Sequence, residues 1–116
     1  MRDLLLHGSG AAAVVIALIH GMLGETKVFA RASIDPPRLR TLIRLVWQAG
    51  TVAWIGGGVL LIAAPWMESN PARHWIVITL AIVFGFAALA NAWATRGRHF
   101  GWVGMSAVVV LAVVGY

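Results

Sequence analysis

The chain has 116 residues, of which 60% are hydrophobic and only 11% are charged, and it contains no cysteine. Ordinary soluble domains contain about 25% charged residues, so this composition excludes a soluble globular protein. The missing cysteines exclude disulfides, thiol catalysis and iron–sulfur clusters. The net charge of +5 is a topology signal in a membrane protein, and no basic patch with interleaved aromatic residues indicates a nucleic-acid partner.

Residues 4–23 form the first predicted membrane span, because His7 and His20 are their only ionisable side chains. At about 1.5 Å per residue, that length crosses a hydrocarbon core about 30 Å thick. A cleaved signal peptide would carry its positive charge before a shorter apolar run. Here Lys27 and Arg31 follow the run, so the sequence predicts a retained helix.

Residues 26–44 are the longest polar segment and are rich in basic side chains. The Asp35-Pro36-Pro37 sequence is a turn signal that ends any helix before it. The next helix can begin at Thr41. The basic side chains of this predicted loop can also contact anionic lipid headgroups.

Residues 45–65 form the second predicted span, although residues 56–58 are three consecutive glycines. In a bilayer every backbone group must be paired, so the helix persists and glycine becomes a packing device. Small residues recur at every fourth position and let helices approach closely. The predicted packing positions are Ala13, Ala17 and Gly21 on the first span and Ala49, Ala53 and Gly57 on the second. A different stripe of the second span comprises Arg44, Gln48, Thr51, Ile55 and Gly58.

Residues 75–94 and 101–116 form the third and fourth predicted spans. Trp66 and Trp75 bracket the loop before the third span, as aromatic residues do at membrane interfaces. A tight basic turn at residues 95–99 leads to the fourth span, which is close to the lower length limit of about 17 residues.

The four spans predict an all-α membrane protein with a single transmembrane domain over residues 1–116, built as a four-transmembrane-helix bundle. Cytoplasmic loops carry an excess of Lys and Arg, which sets the orientation. Arg2 and Arg73 lie on one side, and the other basic residues lie on the opposite side, namely Lys27, Arg31, Arg38, Arg40, Arg44, Arg96 and Arg98. We therefore predict a multi-pass protein of the inner cell membrane with both termini outside.

This orientation gathers unusual polar side chains at the cytoplasmic ends of the spans. A polar residue at membrane depth is a functional hypothesis by default, although a structural clamp between helix ends would look the same. Glu25 is expected to pair with Arg44 or Arg96, and Gly24 permits the helix to loosen between His20 and Glu25. The predicted polar cluster comprises His20, Glu25, Arg44, Gln48, Asn91 and His99.

Three members of that cluster, His20, Glu25 and His99, are residue types that bind transition metals, but their spacing matches no known ligand motif. One haem per leaflet is a second possibility. However, His7 and His20 point about 140° apart on an ideal helix, and His74 lies beside a loop. We therefore expect no cofactor, and keep binding of a metal, haem or proton as the alternative function.

No catalytic signature is found, so we expect that the protein is not an enzyme. The serines lack His or Asp partners at suggestive spacing, and no phosphate-binding glycine loop follows a strand. No amphipathic pattern indicates a quinone site, and no carboxylate lies inside a span, as small four-helix carriers require. The remaining expectation is a structural or accessory protein of the lipid bilayer, self-associated or part of a larger membrane complex.

The segments His20-Gly-Met-Leu-Gly-Glu25, Arg40–Arg44, Val46-Trp47-Gln48 and Arg98-His99-Phe-Gly-Trp102 resemble a family of small bacterial four-span membrane proteins of unknown function. The resemblance covers most of the chain and rests on an H-x-x-L-G-E first-helix end. The chain departs from the family pattern at Gln48, where the pattern suggests His. This resemblance implies no activity, and an amide at that position would weaken any metal site.

Overall fold

The computed structural model describes residues 1–116 and contains helices and connecting turns only, which confirms the predicted all-α class. Four helices are long: α1 (Arg2–Leu23), α2 (Pro37–Ala63), α3 (Asn70–Thr95) and α4 (Gly101–Gly115). A π-helical segment and a short α-helical turn extend α1, and a 3₁₀ turn extends α2; these are Gly24–Val28, Phe29–Arg31 and Ala64–Trp66.

Three of the helical segments are long and apolar enough to cross a membrane: Arg2–Arg31, Pro37–Trp66 and Asn70–Thr95. The fourth helix, α4, is apolar but has 15 residues, which corresponds to about 22 Å. Only 22 of the 116 residues are buried, and large apolar side chains such as Phe86 and Leu89 point outward. Such an apolar exterior suits lipid rather than water. The longest dimension, 49 Å, matches a bilayer about 40–45 Å thick with its headgroups.

The first loop is much shorter than the polar segment 26–44 that was expected to form it. The helix continues to Arg31, and α2 already begins at Pro37 rather than at Thr41 or later. Polar residues are compatible with a helix that projects into the headgroup region, so the apolar run does not set the helix end. Proline suits the first turn of α2 because its missing N–H has no partner there anyway.

The helices are arranged in the order α2, α1, α4, α3, because α1 packs along both α2 and α4, and α4 packs along α3. In contrast, α2 and α3 are barely in contact. They meet where the Trp54 and Phe84 rings lie 5.7 Å apart, and where Gly57 leaves room for Leu80. Three neighbouring helix pairs are therefore closely packed, and the fourth pair, α2 and α3, is loosely packed.

The contact between α1 and α2 uses the predicted small residues of α1 but not those of α2. Ala13, Ala17 and Gly21 are all buried. Ala49 and Ala53 are exposed on the outer surface of α2, so within this chain they do not pack as expected. The physical reason is that the α2 stripe one position away, which contains Thr51, faces α1.

The stripe that does face α1 is the one that carries Gln48, Thr51 and Gly58. A Cβ on Gly21 would lie 2.9 Å from Thr51 Cγ2 and 3.1 Å from Gln48 Oε1, so only glycine fits at this position. The Gln48 side chain on this stripe donates to the Gly21 carbonyl of α1, a bond that an alanine could not form.

Candidate functional site

The polar side chains that the sequence groups into one cluster form two separate sets in the structure. Both lie at the end of the bundle where α1 and α3 end and where α2 and α4 begin; we call it the basic end, because seven of the nine Lys and Arg residues lie there. The clamp consists of Glu25, Arg44 and Gln48. The second set lines a cavity and comprises His20, Asn91 and His99.

The clamp joins the end of α1 to the start of α2 on the outer surface. Arg44 Nη2 lies 2.6 Å from Glu25 Oε2, and Arg44 Nε donates to Glu25 Oε1 at 3.0 Å. The Gln48 amide donates to Glu25 Oε1 at 2.9 Å and to the Gly21 carbonyl at 3.1 Å. Arg44 is thus the partner of Glu25, as one of the two predicted pairings has it.

The π-helical segment Gly24–Val28 explains how Glu25 reaches this position. The helix does loosen at Gly24, but Glu25 is exposed and bonds to α2 rather than pointing into the bundle. Because both charged side chains are substantially exposed, the clamp is a surface feature. Its geometry is that of a structural link between two helix ends.

A half-open cavity of about 430 Å³ lies at the basic end, with walls from all four helices. It occupies the space where α2 and α3 do not pack against each other. Ten of its sixteen lining residues are hydrophobic, and none is Asp, Glu, Lys or Arg. The cavity is therefore an uncharged chamber with a few polar groups.

One wall of the cavity is aromatic. The His20 ring stacks on Trp47 with centroids 4.2 Å apart and planes within 4°, and Trp54 lies 4.5 Å from His20 at a tilt of 42°. Trp47 Nε1 donates to the His20 carbonyl at 2.9 Å, which holds the indole in place. Gly24 leaves the room that this indole occupies, since a Cβ there would collide with it.

The opposite wall carries Asn91, Thr95 and His99 around the turn between α3 and α4. Thr95 Oγ1 donates to the Asn91 carbonyl at 2.7 Å, and the His99 N–H donates to Thr95 Oγ1 at 3.4 Å. Asn91 Oδ1 accepts the Trp102 N–H at 3.1 Å, which satisfies an otherwise free group in the first turn of α4. These bonds fix the side chains of Asn91 and Thr95.

The same bonds decide which atoms remain free to bind a ligand. The Gly101 N–H donates to His99 Nδ1 at 3.0 Å, so a neutral His99 carries its proton on Nε2. Asn91 uses its oxygen on Trp102, so its NH₂ group remains a donor. A Cβ on Gly101 would lie 2.8 Å from His99 Nδ1 and 3.2 Å from Asn91 Nδ2. Both side chains therefore lie close to Gly101, where a larger residue would press against them.

The three candidate metal ligands do not come together. No group of three His, Asp or Glu side chains is close enough to hold a metal ion. Glu25 is engaged in the clamp, while His20 and His99 line the cavity. The cavity lining therefore contains two histidines and no carboxylate.

The other two histidines lie at the opposite end of the bundle. His7 packs against Trp66 with centroids 5.1 Å apart, and its buried Nε2 has no hydrogen-bond partner. His74 Nδ1 lies 2.8 Å from the Tyr116 hydroxyl, which ties the start of α3 to the end of α4. The His7–His20 and His74–His99 pairs are therefore split between the ends, as helix length requires.

Sequence reasoning did not identify Trp54 or Thr95 as members of the site. Two signals were available. Trp47 and Trp54 are seven residues apart and Asn91 and Thr95 are four apart, so each pair shares one helix face, and His99 follows in the turn after α3. Which faces would look at each other depends on the helix order, and one sequence does not specify it.

Comparison of the chain with known protein families, with curated proteins and with solved structures found no match.

Proposed function

We propose that this chain is a small integral membrane protein of the accessory type, which works by binding a neutral lipid-soluble molecule in the cavity at the basic end. The observation that carries the proposal is the cavity itself. Its volume of about 430 Å³ lies within the range of about 300–1,000 Å³ that small-molecule sites occupy. Apolar walls with a few convergent polar groups are the usual composition of such sites.

The route into the cavity supports a ligand that comes from the bilayer. Since α2 and α3 are barely in contact, the gap between them faces the surroundings of the bundle, which for these apolar helices is lipid. Charged molecules are poor candidates, because the lining offers no side chain of opposite charge. A neutral amphipathic molecule is the best match to this chamber.

The membrane arrangement belongs to the same proposal. We place four spans in the inner cell membrane, with both termini outside and the basic end in the cytoplasm, because most Lys and Arg residues lie at that end. The short α4 would cross with its ends drawn inside the headgroup region. Its neighbours α1 and α3 are longer, with 22 and 26 residues.

Association with a partner is the accessory part of the proposal. Ala49 and Ala53 lie exposed on the lipid-facing side of α2, where small side chains allow another transmembrane helix to approach closely. A second copy of this chain or a subunit of a larger membrane complex fits this surface. The cavity ligand would then be shared with, or shielded for, that partner.

Binding of a metal or haem is the weaker candidate, because the structure separates Glu25 from His20 and His99. Elemental analysis and an absorption spectrum of purified protein test it directly. Stoichiometric metal or a Soret band would favour that candidate over the proposed one.

The proposal is tested by filling the cavity. Ala87 lines it, whereas Ala94 lies on the same helix and is exposed, so Ala87→Leu and Ala94→Leu form a matched pair. Lipid extracts of detergent-purified protein, analysed by mass spectrometry, should show a neutral lipid retained by wild type and by Ala94→Leu. The same lipid should be depleted several-fold in Ala87→Leu. Identical extracts from all three proteins would contradict the proposal.

A further inference from the structure

Two polar side chains on the α3–α4 wall of the cavity, Asn91 and His99, offer free hydrogen-bond donors. Asn91 has its oxygen occupied by the Trp102 N–H, and His99 has Nδ1 occupied by the Gly101 N–H. Their remaining groups, the Asn91 NH₂ and the His99 Nε2–H, donate and have no acceptor in the chain. A ligand seated between them must therefore present acceptors.

The aromatic side chains indicate the shape of the ligand. On one side, His20 and Trp47 form a flat stack with Trp54 inclined to it, and on the other side the Phe100 and His99 rings stack at 4.5 Å. Planar rings pack well between such surfaces, with centroids about 4.5–7 Å apart. A planar ring in the cavity would thus have aromatic side chains of both groups in the walls around it.

The absence of charged side chains from the lining restricts the chemical class of the ligand. Fatty acids, phospholipids and carboxylate-bearing ring systems would bring an unpaired charge into an uncharged chamber, which is costly. Neutral lipid alcohols have a hydroxyl that donates as well as accepts, and they have no planar head. Only a flat, neutral, acceptor-bearing head with an apolar tail satisfies all three features.

Resting on the proposed function, we infer that the cavity ligand is a quinone-type lipid. One ring carbonyl accepts from Asn91 Nδ2 and His99 Nε2, the ring lies against the aromatic wall of Trp54 and His20, and the apolar tail leaves between α2 and α3. Gly101 lies beside both side chains, since a Cβ there would come within 3.1 Å of His99 Cε1 and 3.2 Å of Asn91 Nδ2. The inference concerns binding only and involves no electron transfer.

The experiment uses the full chain, purified in detergent and stripped of native lipid. The probes are a dimethoxy-1,4-benzoquinone with a decyl tail and decylbenzene, which has the same tail and a ring without carbonyls. Isothermal titration calorimetry should show saturable quinone binding that is about 10-fold or more tighter than decylbenzene binding, since one hydrogen bond is worth about that factor.

Asn91→Asp is the decisive variant, because it keeps the oxygen that accepts the Trp102 N–H while it replaces the donor with a carboxylate. Its quinone affinity should fall about 10-fold or more. Asn70→Asp, an exposed asparagine at the start of α3, is the matched control and should bind as wild type. If Asn91→Asp does not fold, His99→Asn serves instead, because its amide oxygen can replace Nδ1 while the Nε2 donor is lost.

The outcomes separate this inference from the proposed function. Equal binding of the quinone and decylbenzene, or wild-type quinone affinity in the donor variant that folds, would overturn the quinone inference and leave a cavity for neutral lipids. No binding of either probe, together with no co-purified lipid, would overturn both.

Discussion

Gly10 and Gly58 bring the backbones of α1 and α2 into direct contact. A Cβ on Gly58 would lie 2.8 Å from the Gly10 carbonyl oxygen, and a Cβ on Gly10 would lie 2.5 Å from the Gly58 carbonyl oxygen. Backbone atoms cannot move aside as a flexible side chain can. This approach sets the separation of α1 and α2 at this level of the bundle.

We therefore predict that Gly58→Ala destabilises the protein by about 1–3 kcal/mol, the usual range for overpacking a tight interface. The matched control is Gly56→Ala on the same helix, where nothing lies within 4 Å of the added Cβ. That variant should be neutral or slightly stabilising, because alanine is the better helix former. Reversible unfolding in mixed micelles measures both. Equal stability of the two variants would show that the helices can separate at no cost.

A second link crosses the bundle between α1 and α4. Ser9 is fully buried, and its hydroxyl donates to the Val108 carbonyl at 2.7 Å. Side-chain hydrogen bonds between helices in a membrane contribute on average about 0.6 kcal/mol, so Ser9→Ala should lower the free energy of unfolding by about 0.5–1.5 kcal/mol. Ser106→Ala is the control, since Ser106 lies on α4 and makes no such bond. A loss of the same size in both variants would contradict the assignment.

The features that the sequence predicts correctly are those that depend on local pattern. The scarcity of charge and the long apolar runs predict the three helices that can span a membrane. A single segment in lipid can pair all its backbone groups only as a helix. The proximity of Glu25 and Arg44 follows from the position of each at the junction between an apolar run and the first loop. Both residues are tied to a helix end, so their meeting requires only that α1 and α2 be neighbours.

The features that the sequence does not predict depend on the rotation of each helix about its axis and on the order of the helices in the bundle. Ala49 and Ala53 resemble a packing face, but Thr51 and Gln48 lie on the stripe that meets α1, where Gln48 also bonds to the Gly21 carbonyl. The cavity is a property of the α2, α1, α4, α3 order, which leaves α2 and α3 apart. No periodicity within one helix encodes that order.

The clamp on the outer surface should stabilise the fold through the attraction between its opposite charges. Glu25→Gln removes the ion pair with Arg44 while it keeps a side chain of the same size. We expect a small loss of stability in low salt that disappears at about 1 M salt, where the screening length falls to about 3 Å. Glu68→Gln, an exposed change in the loop before α3, is the control and should show neither effect. A loss of stability that does not depend on salt would mean that the clamp stabilises the fold through the hydrogen bonds of Gln48 instead.

The proposed orientation can be read from cysteine labelling, because the native chain contains no cysteine that would interfere. Ser33 is exposed in the first loop, at the basic end, and Glu68 is exposed in the loop at the other end. With the basic end in the cytoplasm, a membrane-impermeant maleimide should label Glu68→Cys in intact spheroplasts and Ser33→Cys only in inverted vesicles. The reverse pattern would place both termini inside. Labelling of both positions from both sides would mean that the chain inserts in two orientations, and the asymmetry of Lys and Arg would then not determine its topology.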